Sequence, residues 1–305
     1  MTDPYRINPK IPQDPDAIWV VAKKLLPGRK RDEFLIRPRY VYSGKNIRIA
    51  YPGFLTWLKF VDPDRRGEDL GRKVIAYDRA KSRYELQMTQ LLKEFREGKD
   101  GKKLAVPAII IDQVDRPGGM LITFQPSHWN EVTDPRSMSQ DAAAARGKIN
   151  QGFLVAGSPS SIWMSPEALT DSTGFGFMTA DMVMLHEMVH AVFKMHGKQT
   201  DEKVNREWVS DSEFFATAVE NVFRSEKGIR QMRASHADDG SFIDDTEKLL
   251  DVVKIQPPPR TLFARFERLE ADVFRQLALI PPSKAKFNPF RDYKEEQDKR
   301  GPTDE

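Results

Sequence analysis

The stretch Leu185-His186-Glu187-Met188-Val189-His190-Ala191 decides the reading of this chain. It lies in a window, Thr179–Met195, whose apolar residues recur at helical spacing: Met182, Leu185, Met188, Val189, Val192 and Phe193. On a helix, residues four apart project from one face, one turn apart, so His186 and His190 present two imidazoles to a common point. That spacing lets both bind one Zn²⁺ at about 2.0–2.1 Å. Glu187 lies one residue on, beside such a metal rather than under it, where a carboxylate can take a proton from the attacking water. The pattern is rare by composition, since the chain has five histidines in 305 residues. Burying His-Glu-His without a metal would also leave several polar groups to satisfy.

Two histidines make an incomplete site, because a catalytic zinc takes three protein ligands plus water. Three residues compete for the third place. Glu213 stands on the next expected helix, Ser210–Ser225, where the small Ala216 lets the helix approach closely. His196 has the spacing of an HExxHxxGxxH site, but Phe193 occupies the position where that pattern needs a chain-reversing glycine. His196 is therefore expected at a solvated helix end before Gly197. Asp211 is the third, although it also suits a helix cap.

Composition narrows the rest. The chain has no cysteine, which removes disulfides, thiolate zinc sites and thiol nucleophiles, so a transition-metal site must be built from His and carboxylate. Structural zinc sites favour four ligands and Cys, and that argues for an open, catalytic position. The net charge is +3, with 48 Lys plus Arg against 45 Asp plus Glu. Residues 1–60 hold 12 basic and 5 acidic residues (+7), leaving 36 − 40 = −4 for the remainder. No reader motif accompanies the basic segment, and no nucleic acid is expected as a partner. The apolar runs fall short of a membrane span. The start, Met1-Thr2-Asp3-Pro4-Tyr5-Arg6, carries no Sec-type signal, so a cytoplasmic chain is expected, compatible with secretion that reads no cleavable signal peptide.

Patterning predicts an α+β chain in three parts. Residues 1–63 form a Pro-rich basic arm with two β-like runs, Phe34–Tyr42 and Asn46–Tyr51; residues 64–282 form the main domain; residues 283–305 form a charged, mobile tail. The expected helices are Gly71–Glu97, Thr179–Met195, Ser210–Ser225, Asp244–Ile255 and Arg260–Leu279, with a short one near Ala142–Arg146. The expected strands are Leu104–Ile111, Gly119–Gln125, Ile149–Ala156 and Ile162–Met164. The architecture anticipated is a small mixed sheet packed on the HExxH helix, with a helical C-terminal part.

The HExxH segment, followed about two dozen residues later by Glu213-Phe214-Phe215-Ala216, resembles zincin metallopeptidases of the gluzincin type. It is similar in particular to zincin domains of bacterial secreted effectors and polymorphic toxins, in which Ser-Glu-Lys-Gly and Arg-Ala-x-His stretches follow. Here those are Ser225-Glu226-Lys227-Gly228 and Arg233-Ala234-Ser235-His236. The likeness covers roughly residues 150–240, and HExxH is its specific part. It implies a zincin-like fold, Zn²⁺ bound by His186, His190 and Glu213, and Glu187 as the catalytic base. It also implies a protein or peptide substrate, and a secretion machine or immunity protein as partner. A zincin needs a donor for the developing oxyanion, for which His236 is the first candidate and Tyr77 and Tyr84 are weaker ones. An intracellular regulatory zinc peptidase and a zinc-stabilised binding protein without activity are the competing readings.

Overall fold

A computed structural model describes the backbone of residues 18–22 and 32–36 and, more fully, residues 40–54, 57–58, 70–98, 101–126, 159–164, 166, 179–200, 202–204, 210–234, 242–245, 248–251 and 257–300. The expected strand Ile149–Ala156 and the short helix near Ala142–Arg146 lie outside these residues. The fold is α+β. Strands β1 (Ile18–Ala22) and β2 (Asp32–Ile36) pair as an antiparallel hairpin. The central sheet has the order β3 (Val41–Tyr42), β4 (Ile47–Ile49), β5 (Ile122–Gln125), β6 (Ser160–Trp163), antiparallel between β3 and β4 and parallel thereafter. Ile49, Phe124 and Ile162 stand in register on its buried face. The Pro-rich segment therefore contributes two strands to the main sheet.

Helix α1 (Leu70–Glu97), close to the expected Gly71–Glu97, buries Val74, Tyr77, Tyr84, Met88, Leu92 and Phe95. It ends at Gly98, whose φ of 80° requires glycine and whose place a Cβ would contest with the Lys102 carbonyl. The run Leu104–Ile111, expected as a strand, is instead part of helix α2 (Ala105–Asp115). Its first two free N–H groups, Ala105 and Val106, both donate to the Glu226 carboxylate at 2.8 Å, and Pro107 in the first turn has no N–H to satisfy. Ile109, Ile110, Ile111 and Val114 are all buried, so the helix is apolar nearly all round, which periodicity alone cannot separate from a buried strand.

Helices α3 (Ala180–Met195) and α4 (Asp211–Glu226) lie side by side, and β6 packs against α3. Among the described residues of the expected helix Asp244–Ile255, strand β8 (Phe242–Asp244), paired with β7 (Gln231–Arg233), and a 3₁₀ turn at Leu249–Asp251 stand instead. The single helix expected over Arg260–Leu279 is two, α5 (Pro259–Leu269) and α6 (Ala271–Ala278), broken at Glu270. The backbone leaves the helical region there (φ −132°, ψ 57°), and the buried carboxylate meets His196 Nδ1 at 2.7 Å and Lys198 Nζ at 3.6 Å.

Through residue 300 the segment from Ser283 is docked on the core. Residues 289–300 form helix α7, and Phe287, Phe290 and Tyr293 are buried in the core. Phe290 meets Phe263, Phe266 and Phe274 at ring distances of 5.1–5.4 Å, and Phe266 in turn meets Phe193 of α3 and Phe215 of α4. The tail is charged and has few large apolar residues, but three of those it has, Phe287, Phe290 and Tyr293, are seated in the core. No helix among the described residues is long and apolar enough to cross a membrane.

Candidate metal centre

Helix α3 carries His186 and His190 one turn apart on its buried face. Its path beyond them is straight. Phe193 stacks on Phe215 at 5.6 Å, the helix runs on to Met195, and only Gly197, with φ 68°, turns the chain. Helix α4 brings the third group. Ser210 caps it, its Oγ accepting the Glu213 N–H at 3.4 Å, which sets Glu213 in the first turn beside the histidines.

The donor atoms converge. Glu213 Oε2 lies 3.1 Å from His186 Nε2 and 3.3 Å from His190 Nε2, and the two Nε2 atoms are 3.2 Å apart. Three ligands held at 2.0–2.1 Å on a tetrahedral ion stand about 3.3 Å from one another, so this triangle has the right edge length for Zn²⁺. Among the described residues these three form a group positioned to bind a metal ion. Both imidazole side chains are nearly closed off (7 % and 9 % exposed), whereas Glu213 is 25 % exposed, so the site opens on the α4 side.

Burial would lower the His186 pKa, but hydrogen bonds to Glu213 and Glu220 outweigh it and push the group up to about 10. Burial holds His190 below its ordinary value despite the Glu213 carboxylate. Without a cation, then, His186 is the protonated imidazole of the pair and His190 the neutral one. Glu187 is buried beside them. Burial pushes its carboxyl up to about 8, opposed by His186 and aided by the negative charge of Glu213.

The remaining sequence candidates are placed elsewhere. His196 is not solvated: it is the cap residue of α3, clasped between Glu270 and the Arg116 guanidinium. Asp211 is fully buried, and its Oδ2 accepts from Arg265 Nη1 at 2.8 Å. The Tyr77 hydroxyl donates to the Pro52 carbonyl at 2.7 Å, and the Tyr84 hydroxyl is sealed in the core with its ring 5.7 Å from Tyr51. His236 lies outside the described residues.

One group behind the histidines went unread in the sequence. Glu220, two turns along α4 from Glu213, is fully buried with Oε2 3.5 Å from His186 Nδ1. Arg233 Nη1 donates to the same oxygen at 2.9 Å, and Arg224 Nη1 lies 3.5 Å from Oε1. The signal available was a lone carboxylate inside an apolar stripe, seven residues from Glu213 and on the same helix face.

Comparison with protein-family models, with curated proteins and with solved structures finds no match to this chain.

Proposed function

We propose that the chain is a zinc-dependent endopeptidase of the zincin type, with His186, His190 and Glu213 as ligands and Glu187 as general base. The observation that carries this reading is the triangle of donor atoms, 3.1–3.3 Å on each side, built on an HExxH helix with a buried glutamate beside it. A bound Zn²⁺ supplies Lewis acidity, polarising the scissile carbonyl and lowering the pKa of a water in the open position. The residues of the chain do the rest. Helix α3 fixes both imidazoles, the cap at Ser210 holds Glu213 across from them, and Glu187 takes the proton of the attacking water and passes it to the leaving amine. His236 is proposed as the oxyanion donor. The likeness to secreted effector and toxin domains favours a delivered enzyme acting on a protein substrate, carried by a secretion machine and restrained in the producer by an immunity protein.

The test is metal analysis of the purified protein together with proteolysis of a mixed proteome. About one Zn²⁺ per chain and loss of cleavage with a chelator are expected. Glu187→Gln should keep zinc and lose activity by several orders of magnitude, because an amide cannot take the proton. Full activity without metal, or near wild-type turnover by Glu187→Gln, overturns the reading.

A further inference from the structure

Glu220, Arg224 and Arg233 place three charges in the core directly behind the histidine pair, with side-chain exposures of 0 %, 1 % and 6 %. Burying such a group is a poor way to gain stability, since desolvation of each ion offsets most of the attraction between them. A local reason is called for, and the geometry supplies one.

An imidazole that gives Nε2 to a metal must carry its proton on Nδ1, and that proton needs an acceptor. Glu220 Oε2, 3.5 Å from His186 Nδ1, is the carboxylate in reach. It is itself held in place. Arg233 donates to it at 2.9 Å, and the Arg233 backbone is locked by Asn221, which accepts its N–H at 2.8 Å and donates to its carbonyl at 2.9 Å. Arg224, on the other oxygen, is fixed by donating to the Gln231 carbonyl at 2.9 Å. Glu213 and Glu220 also share helix α4, so the ligand and the carboxylate behind the opposite ligand move as one body.

We propose that Glu220 is a positioning residue of the metal centre, orienting His186 by accepting its Nδ1 proton, with Arg233 and Arg224 holding the carboxylate in place. This rests on the metal-binding reading above.

The test uses the full chain and Zn²⁺ alone, competed against a fluorescent chelator at neutral pH. The variants are Glu220→Gln, Arg233→Gln and the double variant. Wild type should bind one equivalent. Glu220→Gln should weaken binding by roughly ten- to a hundredfold, and the double variant should stay equally weak, because neutralising the arginine does not restore the acceptor. Arg233→Gln alone should lose less than Glu220→Gln, since the carboxylate remains. In the zinc-loaded protein, the His186 Nδ1 proton resonance should lie downfield and move upfield in Glu220→Gln, with that of His190 unmoved.

A folded double variant with wild-type affinity would overturn the proposal, showing that Glu220 only neutralises arginine. So would the failure of both Glu220 variants to fold with or without zinc, which would place the residue's role in the fold alone. A wild-type protein that takes up no zinc fails the metal reading instead, and that arm separates the two failures.

Discussion

At the scale of single residues, the triangle of His186, His190 and Glu213 stands or falls on the third corner. Glu213→Ala leaves two histidines, too few to hold zinc against a mild chelator, whereas His196→Ala touches nothing that faces the metal. Bound zinc measured after chelator dialysis should therefore drop to near zero in the first variant and stay near one per chain in the second. His196→Ala should act on stability alone, since it removes a partner of the buried Glu270 carboxylate, at a cost of about 1–3 kcal/mol. The HExxH pair was legible because both histidines and their spacing belong to one helix. Glu213 was legible more weakly, as one of three choices, since Ser210-x-x-Glu213 has the spelling of a capped helix start. Glu220 was hard to read because two of its three partners, His186 and Arg233, lie on other elements that only the fold brings to it.

Among the elements, those whose pattern is local were read and those settled by distant partners were not. Helix α1 carries its own stripe and its own stop at Gly98. Helix α2 does not: its apolar run suits either a buried strand or a buried helix, and the carboxylate that caps it comes from Glu226, 120 residues further on. Glu226→Ala should therefore cost about 1–2 kcal/mol of stability, the range of a lost N-cap, read as a shift in denaturation midpoint with unchanged slope. An unchanged midpoint would mean that α2 forms without that cap. The break at Glu270 has the same origin. Nothing in Arg260–Leu279 interrupts the helical pattern, and Glu270 leaves it where its buried carboxylate meets His196 and Lys198.

For the molecule as a whole, the phenylalanine cluster ties helix α7 to the pair α3 and α4. Phe290→Ala should cost about 3–5 kcal/mol, the usual penalty for emptying a buried aromatic site. Removing residues from Ser283 onward should lower the melting temperature further, because Phe287 and Tyr293 leave the core as well. An unchanged melting temperature after that truncation would contradict the docking of α7. The cluster also orders events in time. Phe290 follows His190 by about 100 positions, so at roughly 5–20 residues per second a ribosome makes both histidines some 5–20 s before the ring that completes the cluster exists. Over that interval α3 and α4 can pair with each other but not with the finished phenylalanine cluster. A chain made only that far leaves the Phe263, Phe266 and Phe274 rings without the aromatic partner that α7 supplies.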